Sequence, residues 1–559
     1  MTKSTPRVVV IGLDGADPDL IAPWLDNDDL PNLNAIRQRG AWGRLTSTLP
    51  PMSAGAWTSF MTGKNPGKHG VFDFMRRTPG EYYFQVSPRS TEATLWGILS
   101  QAGKRVVVSN VPQTYPPESV NGTMISGLGT PIHRAGVFPD SMADYIHRSG
   151  FRSDATLCYR PGEESAFLRE VYEALDNQFK VVLDLAKREP WDLLMHVFRA
   201  TDEVAHFFWR YMDPSHPDYD PELAPQYADT IKNVYIYVDS LVGQLLDLVG
   251  SEAWIFVVSD HGMGPLHKTV YLNSWLQEVG LLTLLTKKEA NHWVRDGLRK
   301  VGLTRANVTA LLNTLRMGKI HIILKKLLAN WLHAIPEDSR VRLSDLVDWS
   351  RTYAYSYGYI GQIYLNLMGR EPQGIVTPDT YQSVCEKITR ELYNLVDPGD
   401  GKPVVDKVIS RRDIYSGPYT ETAPDLIVLM RGLTYITHEG FELNVEGQSP
   451  FVMPVTGESA GHRLEGVLMA AGPHIEHRQT LPTASIIDIT PTVLYLMGIA
   501  PQPDMDGHIL EMLFGDDFLA AKREFIQTLG DTARIAEGET WTQQDEQEVV
   551  QRLRDLGYL

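Results

Sequence analysis

Six short apolar runs, rich in β-branched residues and bounded by Gly, Pro or Asp, recur along this 559-residue chain. They cover residues 7–12, 105–109, 193–198, 254–259, 426–430 and 466–470. Continuous apolar runs of this length are typical of strands that are buried on both faces of a sheet. Longer segments with helical spacing lie between them, including residues 164–188, 227–249 and 485–497. The alternation predicts an α/β fold, with a central, mostly parallel sheet sandwiched by helices.

One segment departs from this alternation, because residues 282–348 are rich in helical patterns and poor in strand patterns. We interpret it as an inserted helical cap that divides the core into residues 1–281 and 349–515. Within it, residues 301–335 carry basic residues and no acidic ones. A membrane-surface or anion-facing helix pair is one interpretation. A solvated basic face is favoured, since the Leu and Ile positions suffice for packing on a core.

Residues 516–559 are predicted to form a C-terminal helical tail. Val549, Leu553 and Leu556 have the spacing of a short amphipathic helix that docks on the body.

The charge balance, the cysteine content and the absence of targeting patterns limit the classes of function. Lys and Arg number 52 against 69 Asp and Glu, and the net charge of −17 argues against an extended nucleic-acid surface. The two cysteines, Cys158 and Cys385, provide neither a CxxC metal pair nor a disulfide framework, which favours a reducing compartment. No signal-peptide pattern and no apolar run of membrane-spanning length is present. These features predict a cytoplasmic protein without a transmembrane segment.

Carboxylates and imidazoles follow several of the predicted strands, where parallel sheets collect their ligands. The residues concerned are Asp14, Asp202, His206, Asp260, His261 and, just before the run at 466–470, His462. Alone, each Asp could be a helix N-cap and each His an ordinary hydrogen-bonded residue. Together, three carboxylates would repel one another unless a cation joined them. Asp202 and His206, four residues apart, share one face of a helix, and mixed His/Asp ligation suits zinc, with manganese as the alternative.

Residues 49–74 form the second candidate region. Ser53 follows a Pro-Pro turn and opens a segment that could be a helix, whose positive N-terminal end favours an alkoxide or a phosphoryl oxygen. A plain N-cap serine is the alternative. Lys64, Lys68 and His69 could contact phosphate, although a solvated turn would also explain them.

With these residues in place, the chain resembles the type I phosphodiesterase/nucleotide pyrophosphatase branch of the alkaline phosphatase superfamily. The matching segments follow the family's order: GLDGAD, PPMSAGAWTSFMTGKNPGKHGVFDF, TDEVAH, SDHGM and GHRLEGVLMAAGP. The late segment IIDITPTVLYLMGIAPQPDMDG is similar to the family's closing helix and loop. Only the helical insertion and the tail fall outside the resemblance.

The resemblance implies two divalent ions and a nucleophile that bridges them. One ion would be held by Asp202, His206 and His462. The other would be held by Asp14, Asp260 and His261 together with Ser53, the nucleophile. The implied reaction is hydrolysis of the phosphate ester of a small molecule through a phosphoseryl intermediate, with phosphodiester or pyrophosphate bonds as the leading substrates.

Two departures from related patterns affect specificity. Nucleotide pyrophosphatases usually place an Asn three residues after the nucleophile, where this chain has Ala56. Nucleotide specificity therefore does not carry over, and Lys64 and Arg199 are the candidates to contact the phosphoryl group instead. Ser53 also lacks the following Pro and Arg of the sulfatase motif, which disfavours sulfatase activity.

Three other functions remain open on the same residues. A phosphomonoesterase would use the same site. A phosphoryl transferase would pass the group to an alcohol acceptor, including a lipid alcohol if the basic insertion contacts a membrane surface peripherally. A non-catalytic binding module is the least favoured, because the ligand set and Ser53 are all present.

Overall fold

The structure is a computed structural model that describes residues 7–155, 158–285, 346–437, 451–455, 457–478, 480–523, 526, 535 and 541–556. The strands are β1 (Val8–Leu13), β2 (Ala41–Thr46), β3 (Met75–Arg77), β4 (Phe84–Val86), β5 (Val106–Val111), β6 (Gly122–Ser126), β7 (Val137–Phe138), β8 (Leu193–Phe198), β9 (Trp254–Val258), β10 (Gly262–Pro265), β11 (Lys268–Val270), β12 (Ala354–Ser356), β13 (Gln362–Leu365), β14 (Val405–Ser410), β15 (Leu426–Met430), β16 (Tyr435–Thr437), β17 (Val452–Pro454), β18 (Ala460–Arg463), β19 (Glu465–Ala471) and β20 (Ala484–Ser485). The helices are α1 (Pro18–Asp26), α2 (Pro31–Arg39), α3 (Ser53–Thr62), α4 (Pro66–His69), α5 (Leu95–Gln101), α6 (Ala143–Ser149), α7 (Glu164–Arg188), α8 (Ala200–Met212), α9 (Ala224–Tyr227), α10 (Thr230–Val249), α11 (Leu272–Glu278), α12 (Pro378–Tyr393), α13 (Arg411–Ile414), α14 (Ile489–Leu496), α15 (Asp516–Arg523) and α16 (Gln543–Asp555).

A large twisted sheet with the strand order β20-β2-β19-β9-β1-β8-β5-β6-β7 forms the centre. Within that row, β9, β1, β8, β5 and β6 run parallel to one another. Every residue of β1 is buried, because β1 lies between β8 and β9 and is covered on both faces. Val9 and Ile11 pack into one apolar cluster with α7, α8 and α10, while Val8 and Val10 pack into another with α3, α5 and α14. The predicted α/β architecture is confirmed.

Two of the predicted strands run differently from the expected parallel arrangement. β15 lies in a separate antiparallel sheet with the order β12-β13-β15-β14, and not in the central one. β19 is in the central sheet but pairs antiparallel with β2 and β9. Both strands are nearly fully buried, and burial on two faces produces the same apolar run whichever sheet or direction a strand has.

The predicted helix over residues 164–188 matches α7 at both ends. The one predicted over 227–249 is confirmed as α10, which ends at Val249 as predicted and begins at Thr230, after the short helix α9 has ended at Tyr227. In the segment 485–497, a 3₁₀ turn over Ile486–Asp488 precedes α14.

The predicted helical cap falls mainly on residues 286–345, which lie outside the described residues. Its two ends are adjacent, as expected for an insertion: Leu285 N donates to Leu346 O over 3.0 Å, and Asp348 N donates to Thr283 O over 2.8 Å. The boundaries assigned to the core, the cap and the tail stay predictions.

The tail contains the predicted amphipathic helix. In α16, Val549 and Leu553 are buried in an apolar cluster that also includes Leu556 and the β4 residues Phe84 and Val86. Among the helices that the structure describes, none has the length and apolar character needed to cross a bilayer.

Candidate metal centre and nucleophile

The carboxyl ends of three adjacent parallel strands deliver most of the predicted site. Asp14 follows β1, Asp260 and His261 follow β9, and α8, which carries Asp202 and His206, follows β8. These strands are neighbours in the order β9-β1-β8, so their ends meet at one edge of the sheet.

His462 reaches the same place by another route. It lies on β18, which pairs antiparallel with β10 just after His261, and its register partner is Met263. The two imidazole rings stack with centroids 3.6 Å apart.

One group of ligand atoms is formed by Asp202, His206 and His462. The Nε2 atoms of His206 and His462 lie 3.3 and 3.5 Å from Asp202 Oδ1 and 3.3 Å from each other. All three side chains are buried.

A second group is formed by Asp14, Asp260 and His261, whose ligand atoms lie within 4.8 Å of one another. His261 Nε2 is 3.2 Å from Asp260 Oδ2 and 3.7 Å from Asp14 Oδ1. His261 also lies within 4.8 Å of Asp202 and His462, so the two groups are contiguous.

Backbone carbonyl groups orient all three histidines. The Nδ1 atom of His206 lies 2.9 Å from Ala460 O, that of His261 lies 3.0 Å from Gly262 O, and that of His462 lies 2.7 Å from Pro51 O. A carbonyl oxygen only accepts, so each Nδ1 carries a proton and each Nε2 is the ring atom that faces the carboxylates. This is the usual arrangement around a metal-ligating histidine.

Ser53 is the first residue of α3, with Met52 in the N-cap position. Its Oγ lies 3.1 Å from His261 Nε2 and 3.4 Å from Asp14 Oδ1. The side chain is fully buried against the second ligand group. Ser53 is therefore not the N-cap that the alternative interpretation proposed, and its hydroxyl lies among the candidate ligands.

The carboxylates affect one another strongly. Burial, and next the charge of Asp202, raise the pKa of Asp14 to about 7, with Arg199 opposing. Burial and the charges of Asp14 and Asp202 raise the pKa of Asp260 well above its ordinary value. Burial is the largest single effect on Asp202 and acts to raise its pKa, but His206 and His462 together outweigh burial and hold that pKa well below its ordinary value. Asp14 and Asp260, the carboxylates of the second group, therefore have too little positive charge around them to ionise at low cost.

The pKa values of the three histidines also differ from one another. Burial lowers the pKa of His206, but Asp202 reverses the effect and raises it to about 9. Burial lowers the pKa values of His261 and His462 to about 4, so these two rings are neutral near pH 7.

A cation fits this donor set. Three buried carboxylates and two neutral imidazoles converge, with Arg199 beside them at 4.0 Å from Asp14 Oδ2 and 3.9 Å from Asp202 Oδ2. Divalent ions are the usual means of balancing such a cluster, and His/Asp ligation is typical of zinc sites.

The two residues predicted to contact the phosphoryl group are placed differently. Arg199 is buried beside Asp14 and Asp202, at the start of α8. Lys64 follows the far end of α3, where it is buried and forms ion pairs with Glu92 and Asp504. The structure does not bring Lys64 into the ligand groups, and its burial also contradicts a solvated turn.

Ala56 occupies the position of the missing Asn. It is fully buried in the apolar cluster that includes Trp57 and Phe60.

Three residues near the centre were not predicted. Trp57 donates its indole N–H to Asp14 Oδ2 over 3.0 Å. Tyr359 donates its hydroxyl to Glu458, whose carboxylate is 3.9 Å from His206 Nδ1. Trp57 could have been found, because residues four apart share one helix face and Trp57 follows Ser53 by four. The other two come from distant segments, and no local pattern marks them.

One family model matches most of this chain. The family model described as type I phosphodiesterase / nucleotide pyrophosphatase matches residues 8–444. The matched range includes every predicted metal ligand except His462. A search of curated proteins finds no match.

Solved structures also match. They include phosphonoacetate hydrolase from Sinorhizobium meliloti 1021 in complex with phosphonoformate, at 14% identity and a TM-score of 0.49, covering 88% of this chain and 95% of that chain. From the family match, this chain belongs to the type I phosphodiesterase/nucleotide pyrophosphatase family and is a hydrolase that acts on phosphoester bonds.

Proposed function

We propose that the chain hydrolyses phosphodiester or pyrophosphate bonds of a small molecule through a phosphoseryl intermediate on Ser53. One observation carries the proposal: Ser53 Oγ lies 3.1 Å from His261 Nε2 and 3.4 Å from Asp14 Oδ1. The hydroxyl is thus next to two candidate metal ligands and at the N-terminus of a helix. Each of these features favours a nucleophilic oxygen.

Two divalent ions complete the proposed site. Asp202, His206 and His462 would hold one ion, and Asp14, Asp260, His261 and Ser53 the other. Zinc suits this His/Asp set, and manganese is the alternative. When bound, the ions supply Lewis acidity and neutralise the buried carboxylates.

The chain's own groups perform the remaining work. Ser53 Oγ loses its proton to solvent and attacks phosphorus, forming the Oγ–P bond while the bond from phosphorus to the leaving oxygen breaks. The leaving oxygen keeps the electron pair of that bond and takes up a proton from water. The first backbone N–H groups of α3 lack partners within the helix and are available to a phosphoryl oxygen. Arg199 adds a buried positive charge next to the carboxylates. Water then cleaves the Oγ–P bond and releases the second product with Ser53 regenerated.

The test compares hydrolysis of bis-p-nitrophenyl phosphate and p-nitrophenyl phosphate by protein loaded with Zn²⁺ or Mn²⁺. We expect a preference for the diester and a loss of roughly 10³-fold or more in kcat for Ser53→Ala, as for other covalent nucleophiles. Ser59→Ala is the matched control on the same helix. Ser59 Oγ bonds to His69 Nε2 over 2.8 Å, away from the ligand groups, so this variant should keep its activity.

Each other outcome has a defined meaning. A monoester preference that is lost in Ser53→Ala keeps the site and makes the protein a phosphomonoesterase. Release of p-nitrophenol that rises with an added alcohol, together with a phosphorylated alcohol product, identifies the transferase. Full activity in Ser53→Ala, or metal-loaded wild type that cleaves neither ester, contradicts the proposal.

A further inference from the structure

Arg552, on the C-terminal helix α16, lies one residue away from a side chain of the candidate site. Arg552 approaches Asp154 closely, donates to Ser153 Oγ over 3.1 Å and donates to Thr130 O over 3.2 Å. Its side chain is only 12% exposed. Burial and the nearby Arg152 lower the pKa of Arg552 to about 10, which leaves it a cation at neutral pH.

Asp154 links this arginine to Arg199. The Asp154 side chain is fully buried, with Oδ1 facing Arg552 and Oδ2 lying 3.4 Å from Arg199 Nη1. A buried carboxylate needs paired cations to remain ionised, and here two guanidinium groups share it.

The other side of Arg199 faces the ligand groups. Its Nε is 4.0 Å from Asp14 Oδ2 and its Nη2 is 3.9 Å from Asp202 Oδ2. Arg199 thus lies between one carboxylate that is held by the tail and two carboxylates that are proposed to bind metal.

Several contacts fix the position of α16 and therefore of Arg552. A capping box between Thr542 and Asp545 starts the helix. His133 lies between two of its carboxylates, with Nε2 at 3.0 Å from Asp545 and Nδ1 at 3.1 Å from Glu548. Leu553, the neighbour of Arg552, is fully buried.

We propose that Arg552 is a positioning residue, which acts through Asp154 to hold Arg199 beside the metal ligands. The C-terminal helix is then a part of the active site, although it lies beyond the residues that match the family model. The inference rests on the proposed function for its kinetic readout. The physical basis of the inference is electrostatic. Asp154 attracts the Arg199 guanidinium from one side, and Asp14 and Asp202 attract the same group from the other side.

Removal of Arg552 changes that balance in a defined direction. Asp154 loses one of its two cations and attracts Arg199 more strongly. Arg199 then moves away from the place where the phosphoryl group arrives, which lowers activity. It also competes less for Asp14 and Asp202, so a metal ion binds those carboxylates more tightly.

The experiment is a double-mutant cycle with Arg552→Met, Arg199→Met and the double variant, assayed with bis-p-nitrophenyl phosphate. We expect Arg552→Met alone to lower kcat/KM by about tenfold, within the usual range of coupled side chains. In the Arg199→Met background the same substitution should have no further effect. Arg554→Met, an equal charge change at an exposed position of α16, is the control and should match wild type.

Titration with Mn²⁺ provides the readout that does not depend on activity. We expect a lower Kd in Arg552→Met than in wild type, and no such change when Arg199 is absent. A helix that only supported the fold would weaken metal binding and activity together. Arg552→Lys keeps the cation and should recover much of the lost kcat/KM. If Arg552→Met does not fold, Arg552→Gln, which also removes the charge, replaces it in the cycle.

Three results would overturn the inference. The first is an unchanged kcat/KM in Arg552→Met. The second is a loss of kcat/KM that is equal with Arg199 present and with Arg199→Met, and the third is an Mn²⁺ Kd that is the same in wild type and in Arg552→Met. Wild type that cleaves no phosphoester would contradict the proposed function instead. The Mn²⁺ cycle would then decide the role of Arg552 by itself.

Discussion

Trp57 donates its indole N–H to Asp14 Oδ2 over 3.0 Å, and this bond joins the helix of the proposed nucleophile to a candidate metal ligand. Because Oδ2 is occupied by Trp57, the other oxygen of Asp14 faces Ser53 and His261, at 3.4 and 3.7 Å. The indole therefore fixes which oxygen Asp14 presents to the site. Replacing partners of this kind typically costs about 10- to 100-fold in metal affinity or activity.

Trp57→Phe should remove the hydrogen bond while retaining most of the ring packing against Phe60, whose centroid lies 5.5 Å from that of Trp57. We expect kcat/KM to fall by about tenfold or more. Trp96→Phe is the matched control, since Trp96 Nε1 donates to Glu118 over 2.9 Å, another indole–carboxylate bond in the same apolar cluster. An equal loss of activity in both variants would show that Trp57 matters only for packing.

Metal removal should distinguish carboxylates that bind metal from those that only support the fold, because only the first kind affect how much metal raises Tm. We expect EDTA to abolish activity and lower Tm, and saturating Zn²⁺ or Mn²⁺ to restore both; a ligand at 100 times its Kd stabilises by about 2.7 kcal/mol. In Asp202→Asn, added metal should raise Tm much less than in wild type, because the substitution removes a charge from between His206 and His462. Differential scanning fluorimetry with and without metal measures the gain.

Asp239→Asn is the control for this prediction. Asp239 is a buried carboxylate that accepts from the backbone N–H groups of Asn32 and Leu33 at the start of α2. Its replacement should lower Tm equally with and without metal. A metal-dependent gain that survives in Asp202→Asn would remove Asp202 from the ligand set.

Much of the central fold could be predicted from sequence because its strands are buried on both faces. The run at residues 193–198 matches β8 at both ends. The direction and sheet of a strand depend on its partners, so β15 and β19 were placed less accurately. The helix predicted from residue 227 begins at Thr230 as α10, because helix ends are marked less sharply in sequence than helix interiors.

The candidate site was predictable where the chain order delivers residues to one sheet edge. Asp14, Asp202 and Asp260 each follow a strand, and parallel neighbours bring strand ends together. Closeness in sequence did not place Lys64 next to Ser53, because α3 lies between them and Lys64 forms ion pairs with Glu92 and Asp504; its contact with substrate stays a prediction. Arg552 could not be predicted, since its link to Arg199 passes through a third residue from a distant loop.

Gly15 allows a close approach between β1 and α8 that a side chain would block. Its φ is +67°, and a Cβ there would lie 3.0 Å from Asp202 Oδ1. Gly15→Ala should therefore lower metal affinity by displacing Asp202, besides a backbone cost of about 1 kcal/mol. Gly80→Ala carries the same kind of backbone cost, with φ +73° and no neighbour within 4 Å of the added Cβ, and should leave Mn²⁺ binding unchanged. Equal Mn²⁺ Kd values in Gly15→Ala and wild type would contradict the proposed position of Asp202.

His69 should make the stability of the protein depend on pH below neutrality. Burial, with Lys64 adding to it, lowers the pKa of His69 to about 3, and its ring accepts from Val71 N and bonds to Ser59. The folded protein thus keeps His69 neutral while the unfolded chain takes up a proton below about pH 6.5, so the free energy of unfolding falls as pH drops through this range. The contribution of His69 to the slope approaches about 1.4 kcal/mol per pH unit. Denaturant unfolding between pH 6 and 4, in EDTA, should show a shallower slope for His69→Gln than for wild type. His477→Gln, at an exposed position, should keep the wild-type slope; if His69→Gln does so too, His69 takes up its proton in the folded state and the stated pKa shift is wrong.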